Sequence, residues 1–228
     1  MENLHGYEGQ LLLGALTTLK LAAAALVLGT LLGAGGCWLQ LSGYRPLRAL
    51  GSAYAAVARG VPDLLIVFAV FFGGSLMLAT LTGRHVEVDT FVAGVVALAL
   101  SFGAYVAEIA RGALLSVSSA QREAARTLGL SRLQTLWTVV LPQAARAALA
   151  PFGNQSIVLL KQTSIVSIVG CDELMRKAAE ASGATRQPFT IYLVTACIYL
   201  VLTALLTLCL EWAEHRTVPP GGEARRHV

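Results

Sequence analysis

The chain has 228 residues, is 56% hydrophobic and only 13% charged, and has a mean hydropathy of +0.67. A soluble domain of this size cannot hide that much apolar surface, because its area is too large relative to its volume. Lipid as solvent is the simpler explanation, and a soluble helical protein with a buried core is set aside.

Five windows are long enough for membrane helices, which need about 20 apolar residues. Residues 21–44, 64–83, 90–107 and 187–210 contain no charge, and residues 147–171 contain one, Lys161. The residues before the first window carry Glu2, His5 and Glu8 but no Lys or Arg until Lys20, so the positive region of a cleavable signal is missing and the first helix is expected to stay. Gly29 and Gly33, with Gly35 and Gly36, form a small-xxx-small pattern that suits close helix packing. The cysteines Cys37, Cys171, Cys197 and Cys209 form no CxxC and read as small packing residues.

Basic residues concentrate in cytoplasmic loops. Arg45, Arg48 and Arg59 follow the first window, and Arg111, Arg122, Arg126, Arg132 and Arg146 lie between the third and fourth. Arg216, Arg225 and Arg226 lie in the tail, while the other side has only Arg84, Arg176, Lys177 and Arg186. This bias puts the N-terminus outside the cell and the C-terminus in the cytoplasm. It accounts for the net charge of +4 without any nucleic-acid partner. The stretch after Trp212, with Pro219, Pro220, Gly221 and Gly222, reads as a short disordered tail.

Between the third and fourth windows lies "EAARTLGLSRLQTLWTVVLP", Glu123 to Pro142. Glu123, Ala124, Ala125, Arg126 and Leu128 favour helix, Gly129 breaks it, and Ser131 can cap a second one. Pro142 fits near the start of the next helix, where a missing N–H costs least. Ala124, Ala125 and Leu128 fall close to one face, and a short helix showing such a face to water needs a partner. An ordinary connecting loop with helical character is the plainer reading.

These residues resemble the cytoplasmic signature of permease subunits of bacterial binding-protein-dependent ABC importers: Glu123-Ala124-Ala125, Gly129, Val139 and Leu141-Pro142. "RGVPDLL", "GAYVAEIARG", "GNQSIVLLKQTSIVSIVG" and "DELMRKA" resemble the polar amino-acid subfamily. The nearest likeness is to the Q-type subunits of histidine and lysine–arginine–ornithine importers and related arginine and opine systems. The resemblance implies an all-α integral membrane protein with the five-helix transmembrane core of the type I ABC importer, as in methionine-importer permeases. Residues 1–214 would form one permease domain with a cytoplasmic coupling segment at 119–142, and residues 215–228 a short tail.

The resemblance also implies partners. These are a second permease chain, identical or similar, two ATPase subunits beneath, and a periplasmic amino-acid-binding protein delivering polar, basic substrates in the bacterial inner membrane, with another polar amino acid such as glutamine or glutamate as the alternative cargo. Arg122, Glu123, Ala124, Ala125, Leu128, Gly129 and Pro142 would form the coupling element that docks on the ATPase. This chain should bind no cofactor, because a P-loop needs Gly-Lys-Ser or Gly-Lys-Thr and none of Lys20, Lys161 and Lys177 follows a glycine. ATP and Mg²⁺ would be handled by the ATPase.

Charged groups in a bilayer usually face a cavity or a partner. Lys161, with Asn154, Gln155, Gln162, Thr163 and Ser164 nearby, is expected to line the translocation path; alternatively it snorkels or pairs with Glu108. Glu108 has Arg111 three residues on, which suits either an i,i+3 pair or a functional role. Asp63 stands beside Pro62 at the expected cytoplasmic entry to the second helix, as a dipole-favoured helix starter or as a cation attractor. Asp172, Glu173 and Glu180 read as solvated acids where a binding protein could dock.

Two other classes fit less well. A secondary transporter would show internal repeats with interrupted helices in both halves, and no repeat is visible. A membrane enzyme would need a catalytic constellation, but His5, His85, His215 and His227 all lie outside the apolar windows and form no metal-ligand cluster.

Overall fold

The computed structural model describes residues 6–83 and 87–217. Glu2, His5, Arg84, His85, Pro219, Pro220, Gly221, Gly222, Arg225, Arg226 and His227, all named above, lie outside the described residues. Among those described, the regular structure is entirely helical. Helix α1 (Glu8–Leu41) is followed by α2 (Arg45–Gly60) and by α3 (Asp63–Phe68), which passes through a π turn into α4 (Gly74–Thr82). Helix α5 (Thr90–Ser116) leads to the short α6 (Ser119–Thr127) and α7 (Arg132–Thr135). A second π turn opens α8 (Leu141–Gln162), which tightens into a 3₁₀ segment before α9 (Leu174–Thr185) and α10 (Pro188–Thr217).

Four stretches are long and apolar enough to cross a membrane: Glu8–Leu41, Asp63–Thr82, Thr90–Ser116 and Pro188–Ala213. The fourth expected window, residues 147–171, is not among them. Its helix starts earlier, at Leu141, and ends at Gln162, and the tail of the window is 3₁₀. Arg146, Lys161 and the polar amides of α8 dilute its hydropathy. The final helix also runs past residue 214, the expected domain edge and well beyond Trp212, to Thr217.

Helix α5 is the axis of the bundle. Of its membrane window 61% is buried, against 33% for α1 and 6% for α10. Helices α1 and α5 lie parallel and in register: Gly29 faces Ala99 and Phe102, Gly33 faces Gly103 and Val106, and Gly36 faces Ala107. Lipid supplies no hydrophobic drive between helices, so close backbone approach and dispersion must hold them. Gly33 shows how tight the seam is, because a Cβ there would lie 2.6 Å from Val106. Gly35, on the other side of α1, would meet nothing. Helix α8 also packs on α5, where Phe152 meets Phe102 edge-on with ring centroids 5.7 Å apart.

Residues 45–60, expected as a loop, form an amphipathic helix that doubles back along α1. Pro46 starts it, where a missing N–H is harmless. Gly51 sits on Leu39 and Gln40, and Tyr54 reaches between Gly36 and Gly103 to donate to the Leu100 carbonyl at 2.9 Å. Arginines at this density suit a loop, but at this spacing they form the exposed face of a helix whose Gly51 and Ala55 are buried.

Glu173 departs most from expectation, being fully buried rather than solvated. It caps α9 by accepting from the Arg176 N–H at 2.8 Å, and it also accepts from Tyr199 of α10 at 3.0 Å and Thr18 of α1 at 3.3 Å. One carboxyl thus ties three helices. Asp172 and Glu180 stay at the surface and pair with Lys177, at 3.0 and 3.1 Å. Cys37 and Cys171 are buried packing residues, whereas Cys197 and Cys209 are exposed.

Two consequences can be measured. Gly33→Val should lower the thermal midpoint of the detergent-solubilised protein by the equivalent of about 1–3 kcal/mol of overpacking, with Gly35→Val near neutral; equal effects would contradict the seam. Burial pushes the Glu173 carboxyl above its ordinary value of 4.5. The folded state therefore binds more protons than the unfolded one above pH 4.5, and stability falls as pH rises through that interval. Glu173→Gln should remove this component, so the variant gains on the wild type as pH rises from 4.5 towards neutrality. Parallel melting curves across that range would refute it.

Candidate coupling face and interior carboxylate

The segment 119–142 builds its turn from local chemistry. Ser118 caps α6 by accepting from the Gln121 N–H. At the other end Gly129 adopts φ +83°, its N–H donates to Arg126 O at 2.9 Å, and the Leu130 N–H donates to Ala125 O at 3.1 Å. This is a Schellman stop, and only a residue without Cβ takes that φ freely. Nothing lies within 4 Å of the Cβ position at Gly129, so the backbone conformation, not a close approach, requires glycine. Ser131 and Gln134 then form a reciprocal capping box on α7. Pro142 stands in the first turn of α8, as its chemistry prefers.

The expected apolar face divides in two. Ala125 turns inward and is only 4% exposed, while Leu128 is 82% exposed and Ala124 and Glu123 also face outward. At about 100° per residue, Ala124 and Leu128 share one side of α6 and Arg122 and Arg126 the other, with the buried Ala125 between them. Arg122 accordingly folds back and donates from a terminal guanidinium nitrogen to the Leu114 carbonyl near the end of α5. It braces α6 from behind.

Asp63 is not at a cytoplasmic edge. It begins α3 beside Ser101, near the middle of the 27-residue α5, and beside Gln162, the last residue of α8. The Ser101 hydroxyl donates to Oδ1 and the Gln162 amide to Oδ2, the latter at 2.6 Å. Helix α2 is what moves Asp63 inward, because it carries the chain back along α1 before α3 begins. Asp63 keeps the favourable helix N-terminal position. Among the described residues it forms no ion pair with Lys or Arg.

Glu108 is occupied elsewhere. It accepts from the Gln40 amide at 2.8 Å and lies 3.8 Å from Arg59 and 4.0 Å from Arg111. Lys161 does not reach it. Lys161 is exposed with Asn154 on one side of α8, and Gln155 is half-buried. Thr163 is fully buried and donates to Leu160 O at 2.7 Å, which removes it from any open path. Ser164 likewise donates to Lys161 O at 2.8 Å. Ser101 and Gln40 lie in apolar helices and carry no signature of their own, and Gln162 stands in the sequence only as a neighbour of Lys161. A polar group in an apolar helix needs a partner, and that was the available signal.

Residues 25–219 match the family of binding-protein-dependent transport system inner membrane components. The nopaline transport system permease protein NocQ of Agrobacterium fabrum is 41% identical over 206 residues, spanning 88% of this chain and 87% of that protein. The histidine/lysine/arginine/ornithine transport system permease protein HisQ of Escherichia coli is 35% identical over 217 residues, spanning 93% and 95%. An amino acid ABC transporter solved with histidines superposes with a TM-score of 0.83 at 34% identity, covering 92% of this chain and 95% of that one. The MetNI methionine ABC transporter shares the fold, with a TM-score of 0.75 at 18% identity over 92% and 96%. The capped and glycine-stopped segment at 119–142, the parallel α1–α5 seam and these likenesses over nearly the whole length agree: the chain belongs to the family of binding-protein-dependent transport system inner membrane components.

Proposed function

We propose that this chain is the permease subunit of an ATP-driven importer of basic amino acids or opines. The observation that carries the reading is Asp63, an interior carboxylate held by two neutral donors and left without a basic partner among the described residues. A cation crossing a low-dielectric bundle needs such a group. Asn154, Gln155 and Lys161 of α8, and Ser164 just beyond it, line the same route. The names of NocQ and HisQ point to the same substrate class. Uptake of labelled arginine, histidine and glutamine into vesicles holding the full complex and its binding protein tests this. Asp63→Asn should lower arginine uptake several-fold without abolishing it. Glutamine preferred over arginine by the wild type would overturn the substrate class.

The chain pairs with a second permease, a copy or a near relative, above two ATPase subunits that use ATP and Mg²⁺, and a periplasmic binding protein delivers substrate. In the inner membrane α8 completes a five-span core, with the N-terminus periplasmic and the C-terminus cytoplasmic. Closure of the ATPase pair would drive the coupling segments together, and each step must draw on differential affinity for two states. The docking face is Glu123, Ala124 and Leu128, shaped by Gly129 and Pro142 and supported from behind by Arg122 and Ala125.

One thiol tests orientation and docking together. In a background lacking the exposed Cys197 and Cys209, Leu128→Cys should resist an impermeant maleimide added to intact spheroplasts. It should react in inside-out vesicles stripped of ATPase, and be protected when ATPase is added back. Labelling from outside would reverse the topology, and labelling that ATPase leaves unchanged would remove Leu128 from the interface.

A further inference from the structure

A cavity of about 230 Å³ opens where α1 and α5 end and α6 begins. Arg122, Arg126 and Arg132 line one half, and Leu41, Leu114 and Leu115 are among the apolar residues of the other. No carboxylate lines it. Three arginines therefore line it with no acidic residue beside them in the lining. Arg122 uses a terminal nitrogen on Leu114 O, yet its Nε is buried with no partner among the described residues. A buried donor of that kind costs free energy until an acceptor arrives.

We infer that this cavity binds the headgroup of an anionic phospholipid of the cytoplasmic leaflet. Its two halves match the two ends of such a molecule: planar donors suit phosphate oxygens, and the leucines suit the start of an acyl chain. Leu41 and Leu115 close helices long and apolar enough to span a membrane, which puts the arginines at headgroup level. Basic pockets between such helices on the cytoplasmic side are suited to lipid headgroups. The volume is below the roughly 300–1,000 Å³ of metabolite pockets, so it fits a headgroup better than a whole soluble ligand. The ATPase is the weaker occupant, because Arg122 and Arg126 lie on the side of α6 opposite the exposed Ala124 and Leu128. A lipid wedged there would set the angle at which the coupling segment leaves the membrane. The inference rests on the membrane-spanning reading and on the orientation proposed above, but not on the identity of the substrate.

The test uses the complex purified in detergent, stripped of lipid and offered phosphatidylglycerol or phosphatidylcholine, with bound lipid counted by native mass spectrometry. Phosphatidylglycerol should be retained preferentially. Each of Arg126→Gln and Arg132→Gln should weaken that retention about fivefold, and Arg126→Lys with Arg132→Lys should restore most of it in a complex of normal thermal midpoint. Inorganic phosphate should not displace the lipid; if it does, the site takes small anions and the lipid assignment falls. Retention unchanged in both glutamine variants overturns the inference. So does loss of the ATPase subunit from those variants with lipid retained, which would give the arginines to the ATPase contact.

Discussion

Everything in this molecule is arranged around the approach of α1 to α5. In lipid the two helices gain nothing by hiding apolar side chains from a solvent that is equally apolar, so contact must come from shape. Glycines on α1 meet Ala99, Gly103 and Ala107 on α5, and the backbones come close enough that an added Cβ would collide with side chains or carbonyls. Because the seam is parallel, the intervening chain has to return the whole way. Helices α2, α3 and α4 perform that return as a broken path rather than a single rod.

The break is where polar chemistry becomes possible. A continuous helix would have satisfied its own backbone and left no reason for a carboxylate inside. Ending α2 at Gly60 and restarting at Asp63 places a helix N-terminus, with its free N–H groups, at the level of mid-α5. Ser101 and Gln162 then complete the shell of Asp63, one from the axis of the bundle and one from the end of α8. The same logic governs Glu173, another helix-starting acid, which differs because α1 and α10 close over it. Two acids in similar local settings thus have different fates. One stands beside the open face of α8, and the other is a bolt between three helices.

The segment at 119–142 shows how an apolar residue is kept exposed. Leu128 is held out by a Schellman stop and cannot collapse onto its own chain, since Ala125 and Arg122 already occupy the inner side of α6. Local hydrogen bonds therefore fix the turn, and the bundle fixes its orientation. Lipid at the arginine cavity would act on that second feature, through the braces at the root of α6 rather than through the docking face.

Local patterns in the sequence determined much of this. The apolar windows, the glycine spacing of α1, the stop at Gly129, the cap at Ser131 and the place of Pro142 each depend on neighbours within a turn or two, and each is legible without a fold. Charge counting misled at Arg45–Gly60, because the same arginines suit a loop and the wet face of a helix; the partners that decide between them, Gly36, Gln40 and Gly103, are distant in sequence. Only the tertiary structure could place Asp63 beside Ser101 and Gln162, bury Glu173, and turn Ala125 away from Leu128. Hydropathy reports whether a residue belongs in lipid or water. It carries no information about which distant donor will meet a carboxylate, and in a membrane bundle that meeting separates a solvated acid from a structural bolt or a cation site.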